Sequence, residues 1–286
     1  MRLKKKVKRI LLLILVALII VLSIILWKKV YNYQNKNTIN NTEYNEEPIY
    51  KEHDNEFMIE KSNYLERNYE RYLAYKKLHP DYSDDTIITY VNIGLDHDYY
   101  TDIEDTDMSL GKLIICNKYH TLKKDYVPNL VNLESNYGGG RLEKETAEYF
   151  KKMSDDAKKD GISIKNVSGY RSYDTQVNLY NNYVKKDGKA KADTYSARAG
   201  TSEHQSGLAS DINYVSSSFE NTSAFKWLSK NAYKYGFILR YPKGKEFITG
   251  YMYEPWHYRY VGEEVAKFIY ENDITYDEYY ATYILK

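Results

Sequence analysis

The sequence contains the stretch Ser202-Glu-His-Gln-Ser-Gly-Leu-Ala-Ser-Asp211, and a second motif, Glu254-Pro-Trp-His257-Tyr-Arg259, begins 43 residues later. A catalytic zinc site needs three protein ligands with nitrogen or oxygen donors and an open position for water. A carboxylate base often handles the protons of that water. His204, Asp211 and His257 can fill the ligand positions. Glu254 can then act as the base.

The segment around Asp211 favours a ligand role for its carboxylate. Residues 208–215 have the apolar character of a strand, where an ionised carboxylate is costly unless it is paired or bound to a cation. Glu254 and His257 are three residues apart, so an extended segment would point them to opposite faces. A bulge, a bend at Pro255 or a wide cavity must therefore bring both to the metal. A single histidine or aspartate is usually a packing or surface residue, but four matched residues are harder to explain in this way.

The pattern Ser-x-His-x-x-Gly-x-Ala-x-Asp followed by Glu-x-x-His resembles the signature of VanY-type D-alanyl-D-alanine carboxypeptidases, zinc peptidases of the D,D-peptidase/Hedgehog fold. A third stretch, Ser168-Gly-Tyr-Arg171-Ser-Tyr-Asp-Thr-Gln176, resembles another motif of that family. The resemblance covers about half of the chain, from near Asn117 to Gly262, with no departure at a ligand or base position. It implies one zinc ion on His204, Asp211 and His257, with Glu254 as the acid/base.

The resemblance also implies substrate-binding residues. Arg171, 33 residues before His204, would bind the substrate near its carboxylate or scissile carbonyl. Gln176 belongs to the same motif and is assigned to the substrate with it. Ser202 could in principle be a nucleophile with His204 as its base. Because the two residues are only two positions apart and His204 is better used as a ligand, we expect Ser202 to hydrogen-bond the substrate.

The expected fold is α+β, a small, mostly antiparallel sheet with helices to one side and around it. Hydrophobic periodicity and capping residues predict the secondary structure. The predicted helices span residues 62–78, 143–159, 172–184, 189–199, 223–235, 263–271 and 277–285. The predicted strands span residues 86–91, 110–117, 162–167, 208–215, 236–239 and 256–261. The three glycines at 138–140 are expected to form a mobile connection, since they lack the spacing of a phosphate-binding loop.

The N-terminal segment has a different composition from the rest. Six basic residues precede an uncharged run of 18 residues, 10–27, which is near the lower limit for a spanning helix. The basic flank predicts a cytoplasmic N-terminus. We therefore expect a cytoplasmic tail (1–9), a transmembrane signal anchor (10–27), a stalk (28–60) and an extracytoplasmic peptidase domain (61–286) with its metal-site core at about 117–262. A cleavable signal peptide is the alternative, although no Ala-x-Ala site is evident.

The charge balance and the cysteine content argue against a nucleic-acid-binding protein and against a disulfide-stabilised domain. The first 29 residues hold eight basic and no acidic residues, which leaves 33 basic against 40 acidic residues in the remainder. A mildly acidic domain argues against nucleic-acid binding. With Cys116 as the single cysteine, no intramolecular disulfide can form, and its apolar neighbours predict a buried thiol. Four other histidines lack a partner motif and are expected to be structural or surface residues: His53, His79, His97 and His120.

The resemblance implies zinc-dependent removal of the terminal D-alanine from peptidoglycan stem peptides, and this substrate implies a bacterial source. The uncharged run 10–27 and its basic flank predict a single-pass protein of the cell membrane. An L,D-carboxypeptidase or a wall endopeptidase of the same fold remains an alternative within the enzymes. A non-catalytic wall-binding or signalling module is the alternative of another class. Such a module should lack the base or a ligand, whereas all four residues are present here.

Overall fold

The structure, a computed structural model, describes residues 63–286. Contacts along the chain group residues 57–286 into one unit, which includes every described residue. The predicted transmembrane segment, the stalk and His53 lie outside the described residues. Within residues 63–286, no helix has both the length and the apolar character needed to cross a bilayer.

The α-helices of the described residues mostly begin at a capping side chain or an acidic first turn. They are α1 (Tyr69–Leu78), α2 (Asp84–Ile93), α3 (Lys144–Lys159), α4 (Tyr173–Asp187), α5 (Lys189–Ala192), α6 (Ser223–Asn231), α7 (Glu246–Thr249), α8 (Glu263–Asn272) and α9 (Tyr276–Tyr279). Short 3₁₀ turns occupy Glu66–Asn68, Met108–Leu113, Ser135–Tyr137, Glu203–Ser206, Ser217–Asn221 and Ala232–Tyr235, and a π-turn occupies Tyr280–Ile284.

The strands are short and form three small sheets. They are β1 (Glu104–Asp105), β2 (His120–Thr121), β3 (Leu130–Asn132), β4 (Arg141–Glu143), β5 (Asn166–Ser168), β6 (Ala209–Ile212), β7 (Phe237–Leu239) and β8 (His257–Tyr260). β1 pairs with β2 in parallel, and β3 pairs with β4 antiparallel. The central sheet is antiparallel with the order β5-β6-β8-β7. The architecture is thus the expected α+β type, with a small and mostly antiparallel set of strands.

The two faces of the central sheet have different partners because side chains alternate along a strand. One face packs into a core with Phe150 and Met153 of α3 and Leu228 of α6, and its own strands supply Tyr258 and Tyr260. The opposite face carries the side chains at odd positions of β6 and β8. This second face holds the polar site and, beside it, a smaller apolar cluster that includes Ile238, Val261, Ile269 and Tyr276.

The prediction of a strand at residues 86–91 is wrong, because this segment lies inside α2. The Ser83 side chain caps the helix by accepting a hydrogen bond from the amide of Thr86, and Gly94 ends the helix with a left-handed φ of 100°. Ile87, Ile88 and Val91 share one helical face and pack against tyrosines of α1. A short apolar run of this kind has the composition of a strand, and its caps decide for the helix.

The prediction of a strand at residues 110–117 is also wrong. The segment begins in the 3₁₀ turn Met108–Leu113 and continues without strand pairing to Asn117, which forms an isolated bridge with His120. The carbonyls of Lys112 and Ile114 accept hydrogen bonds from the Arg259 side chain. A buried arginine therefore takes the place of a neighbouring strand as the hydrogen-bond partner.

Several helix predictions agree with the structure, and one fails over most of its length. α3 begins next to the predicted first residue, Glu143, which caps it by accepting a hydrogen bond from the amide of Thr146, and α4 begins after the predicted cap Ser172. The helix predicted at 189–199 ends at Ala192. The next residue, Asp193, binds the Arg198 side chain through its carboxylate and Lys118 through its carbonyl oxygen. These contacts hold residues 193–199 as a loop.

Candidate metal centre

The metal-site residues are brought together by strand pairing and one tight turn. Asp211 on β6 and His257 on β8 are register partners, so their side chains share one face of the sheet. His204 lies in the turn Glu203–Ser206, which Gly207 ends with a left-handed φ of 70°. A Cβ atom at Gly207 would lie 2.9 Å from the amide nitrogen of Glu143, so the turn can approach β4 this closely only with glycine.

The three predicted ligands converge on one point. One donor atom from each of His204, Asp211 and His257 lies within 4.8 Å of the other two. Nε2 of His204 is 3.4 Å from Oδ2 of Asp211, and Nδ1 of His257 is 3.3 Å from Oδ1. All three residues are buried, and the two imidazole rings lie nearly perpendicular with their centres 5.0 Å apart.

Hydrogen bonds on the far side of each ring determine which nitrogen faces the aspartate. Nδ1 of His204 donates to the carbonyl oxygen of Gly169 at 2.7 Å. Nε2 of His257 donates to Oε2 of Glu203 at 3.3 Å. Because these acceptors need a proton on the outer nitrogen, a neutral ring leaves Nε2 of His204 and Nδ1 of His257 unprotonated. These are the nitrogens that can bind a metal ion.

The Asp211 carboxylate fits a cation site. Its Oδ1 atom is buried and has no hydrogen-bond partner among the described residues. Burial opposes ionisation of Asp211, but the neighbouring His204 and His257 outweigh it and hold the pKa of the carboxyl well below its usual range. Two imidazole nitrogens and one carboxylate oxygen match the donor set of a catalytic zinc ion. The residues present therefore fit the metal that the sequence predicts.

Glu254 lies next to the ligand set but outside it. It sits in the turn before β8, where its backbone carbonyl accepts a hydrogen bond from the amide of His257. A bend that includes Pro255 therefore brings both side chains to one site, as one of the sequence alternatives requires. Oε2 of Glu254 is 3.7 Å from Nδ1 of His257. Burial raises the pKa of Glu254 to about 8, which suits a group that both accepts and donates a proton.

Arg171 lies close to Asp211. Its Nη2 atom is 3.9 Å from Oδ2 of Asp211, and its side chain is largely buried. Nη1 donates to Oε1 of Gln176 at 2.7 Å, and Nη2 donates to Oγ of Ser168 at 2.9 Å. The backbone amide of Arg171 also donates to the carbonyl oxygen of His204. The guanidinium group is thus held rigidly beside the ligand set.

The other two predicted substrate residues have different surroundings. Gln176 is buried, with its carbonyl oxygen used by Arg171 and its Nε2 donating to the carbonyl of Ala197 at 2.6 Å. These contacts indicate that Gln176 orients Arg171 and the loop 193–199. Ser202 is buried in the wall of the cleft, close to the ligand set.

A cleft of about 530 Å³ opens above these residues. Its base holds Arg171, Glu254 and the three candidate ligands, and Ser202 lies in its wall. Its other walls are aromatic and apolar, with residues from α4, the loop 193–199, the segment after β6 and the segment before β8. They are Leu179, Tyr183, Tyr195, Val215, Met252 and Trp256. The polar groups at the base and the apolar walls are typical of a substrate site.

The sequence reasoning missed a group of buried charges behind the site. Glu203 accepts hydrogen bonds from Arg240 and Arg259 through Oε1, at 2.7 and 2.9 Å, in addition to its contact with His257. Burial opposes ionisation of Glu203, but the two arginines keep the pKa of its carboxyl far below the usual range. Glu203 and Arg259 stand inside the two quoted motifs. Both are charged residues in segments that are expected to be buried, and a buried charge needs a partner. This was the signal in the sequence that could have indicated the network.

The remaining cysteine and histidine predictions agree with the structure. Cys116 is fully buried, and burial raises the pKa of its thiol to about 12. His79 stacks on Tyr82, and His97 packs edge-on against Tyr119. His120 is buried with a hydrogen bond to Asn117. Each of these three histidines thus has a structural contact.

Comparisons with known proteins show that the chain is similar to carboxypeptidases. The family model "VanY: D-alanyl-D-alanine carboxypeptidase" matches residues 139–263. The putative carboxypeptidase YodJ of Bacillus subtilis (strain 168) is 44% identical over 205 residues, which cover 65% of this chain and 75% of YodJ. The structure is similar to that of the LD-carboxypeptidase LdcB, with a TM-score of 0.60 and 41% identity over 65% of this chain and 92% of that one. It is also similar to a variant of the vancomycin resistance D,D-pentapeptidase VanY in complex with Zn(II), with a TM-score of 0.53 and 37% identity over 59% and 98% of the chains.

Proposed function

The chain belongs to the VanY family of D-alanyl-D-alanine carboxypeptidases, and we propose that it is a zinc enzyme that removes the terminal D-alanine from peptidoglycan stem peptides. The observation that carries this proposal is the convergence of His204, Asp211 and His257 at the base of one cleft. Glu254 lies beside His257 and Arg171 lies beside Asp211, so a base and an anion-binding group both adjoin this set.

Zinc, when bound to these three residues, lowers the pKa of water and polarises a carbonyl group. Glu254 is placed to accept a proton from the attacking water on its carboxylate and to pass that proton to the leaving amine of D-alanine. Burial raises the pKa of this carboxyl, which makes the ionised Glu254 a stronger base for the first transfer. Burial beneath the cleft also shields these transfers from bulk solvent.

Arg171 provides a fixed positive charge for the substrate. Its guanidinium group can donate two parallel hydrogen bonds to a carboxylate, or it can stabilise negative charge on the scissile carbonyl oxygen. Because Ser168 and Gln176 hold the group in place, little side-chain entropy is lost when the substrate binds. Ser202 is proposed to hydrogen-bond the substrate from the neighbouring wall.

Cleavage before the last D-alanine of a tetrapeptide, an L,D-carboxypeptidase activity, is the second candidate. The likeness to LdcB favours it. The two activities place different residues on the amino side of the scissile bond, D-alanine in one case and an L-residue in the other. Both need the same ligands, base and arginine, so the cleft walls must make the selection.

Mass spectrometry of stem peptides incubated with the purified full-length protein tests the proposal. A D,D-carboxypeptidase converts the pentapeptide into the tetrapeptide and stops there. Conversion of the tetrapeptide into the tripeptide would assign L,D-specificity instead, and cleavage of cross-linked dimers would indicate an endopeptidase. Unchanged peptides in the presence of zinc would reject an enzyme and favour a wall-binding module.

We further propose that the protein is anchored in the cell membrane with residues 61–286 outside. The support is the uncharged run 10–27 and the basic residues that precede it. Protease added to intact protoplasts should then remove the peptidase domain and leave a small membrane-bound fragment. A protected domain, or a secreted form that begins near residue 30, would contradict the anchored topology.

A further inference from the structure

Four charged side chains form a buried network behind the metal centre. Glu203, Arg240, Arg259 and Asp277 are each no more than 2% exposed. Arg240 donates to both carboxylates, with Nε 2.7 Å from Oε1 of Glu203 and Nη1 2.6 Å from Oδ2 of Asp277. Burying charges is costly, and apolar residues of similar volume often stabilise a fold as well or better. The burial of these four charges therefore points to a role beyond packing.

The network runs from a metal-site residue to the C-terminal end of the fold. At one end, Oε2 of Glu203 accepts the hydrogen bond from Nε2 of His257. At the other end, Asp277 lies in α9, beyond residue 263 where the match to the family model stops. Asn117, which lies before residue 139 where that match begins, donates to Oδ1 of Asp277 at 3.0 Å. Segments outside the matched region thus contribute to the network that reaches His257 through Glu203.

The geometry of Arg240 links the two ends. Nη1 and Nη2 both donate to Asp277, at 2.6 and 3.2 Å, and this two-point contact fixes the plane of the guanidinium group. The remaining donor, Nε, then points at Oε1 of Glu203. Since Arg259 also donates to Oε1, the other oxygen of Glu203 is left for His257. If the Arg240 guanidinium group rotated, its Nε would no longer point at Oε1, and Glu203 would lose this hydrogen bond.

We propose that Asp277 is a positioning residue for the metal centre. It acts through Arg240 and Glu203 to hold the His257 ring with Nδ1 toward the metal. This inference rests on the proposed zinc site. Mutation of the direct hydrogen-bond partner of a metal-binding histidine, here Glu203, typically changes metal affinity or activity by roughly 10–100-fold, and Asp277 acts on that partner through Arg240.

Docking of α9 does not depend on Asp277 alone, which makes the inference testable. The hydroxyl of Tyr276 donates to the carbonyl of Leu113 at 2.6 Å, and its ring packs beside the guanidinium groups of Arg240 and Arg259. Tyr276→Phe removes a buried hydrogen bond from the same helix but retains the ring and the whole ion network. It is therefore a matched control for loss of stability without loss of positioning.

The experiment measures the zinc dissociation constant of the full-length protein by chelator competition. Asp277→Asn should weaken zinc binding by roughly 10-fold, at the lower end of the range for partners of a metal-binding histidine. Tyr276→Phe should lower the melting temperature and leave zinc affinity unchanged. Wild-type zinc affinity in Asp277→Asn, or an equal loss in Tyr276→Phe, would overturn the positioning role.

A second variant decides the matter if Asp277→Asn does not fold. Arg240→Lys retains the charge but cannot contact Glu203 and make a two-point contact with Asp277 at the same time. It should weaken zinc binding to a similar degree, and unchanged affinity would reject the inference. If the wild-type protein itself bound no zinc, the proposed function would fail instead, so the two failures are distinguishable.

Discussion

Asp211 and His257 stand directly opposite each other on neighbouring antiparallel strands, with Oδ1 of the aspartate 3.3 Å from Nδ1 of the histidine. The register of β6 against β8 therefore sets the distance between two of the three candidate ligands. A shift by one residue would turn one of these side chains to the apolar face of the sheet. The metal site and the core of the domain thus depend on the same strand pairing.

The first prediction concerns the ligand set. Replacing His204, Asp211 or His257 singly by alanine should abolish stoichiometric zinc binding, because a three-ligand site has no spare donor. Metal analysis of the purified variants after dialysis measures the loss. His79→Ala, which removes a ring far from the cleft in sequence and without a ligand role, should retain zinc. One zinc ion per chain in any of the three ligand variants would show that the assigned residue is not a ligand.

The second prediction separates the base from the ligands. Glu254→Gln should retain zinc but lower kcat by roughly 10²–10⁴-fold, because the amide cannot accept the proton of the attacking water. Zinc content and kcat are measured on the same preparation. Glu246→Gln changes an exposed glutamate of α7 in the same way and should leave both unchanged. Loss of zinc from Glu254→Gln would make Glu254 a ligand, and an unchanged kcat would assign the base elsewhere.

The third prediction tests how Gln176 acts. Arg171→Ala should lower kcat/KM strongly with zinc retained, since the charge that faces the substrate is lost. Gln176→Ala should have a smaller effect in the same direction, because it frees the Arg171 side chain without removing its charge. In the double variant the two effects should not add, as expected for residues in one hydrogen-bond network. Fully additive effects would mean that Gln176 contacts the substrate independently.

The fourth prediction concerns the buried Lys118. Its ammonium group lies over the rings of Tyr99 and Tyr251 and donates to the carbonyl of Asp193 at 2.6 Å. Burial lowers the pKa of Lys118 to about 8, against the partial opposition of the Asp193 charge, and the nearby Arg198 lowers it further. The unfolded chain therefore holds more protons than the folded one between about pH 8 and the ordinary lysine pKa, and stability contributed by this residue rises with pH across that window.

Comparison with Lys118→Met isolates this contribution. The free energy of unfolding of the wild type relative to the variant should increase when the pH is raised from about 7.5 to about 9.5, a range that brackets the lowered pKa. Denaturant unfolding of both proteins at each pH provides the measurement. Titrating tyrosines affect both proteins alike and cancel in the difference. A difference that stays constant or falls with pH would show that the pKa of Lys118 is not lowered.

The fifth prediction uses two adjacent glycines that share a left-handed φ, 102° at Gly138 and 76° at Gly139. A Cβ atom at Gly138 would lie 2.1 Å from the carbonyl oxygen of Asn166 on β5, whereas one at Gly139 would meet nothing within 4 Å. Gly138→Ala should therefore destabilise the fold by about 1–3 kcal/mol more than Gly139→Ala, the usual cost of overpacking. Equal melting temperatures of the two variants would contradict the close approach. Gly138, which the sequence places in a connection between elements, thus lies against β5.

The sequence determined the chemistry of the site because ligand identity is carried by residue type and short spacing. His204 and Asp211 are brought close by one turn and the strand that follows, and Glu254 and His257 by one bend. Helices with capping side chains, such as α3 and α4, could also be predicted, since a cap is a contact between residues only three positions apart. Residues 86–91 have the apolar composition of a strand, but the Ser83 cap and the left-handed Gly94 that bound the segment specify a helix.

Only the tertiary structure decided how the site is held. The nitrogen of His257 that faces Asp211 is determined by Glu203, which is 54 positions away in sequence. Glu203 is in turn fixed by Arg240, and Arg240 by Asp277, each 37 positions further along. The strands that carry the ligands have only four residues each, too few for a periodic pattern to specify their partners. The contacts of Glu203 with His257 and Arg240, and of Arg240 with Asp277, form only when segments far apart in sequence pack together. No local stretch of sequence encodes them.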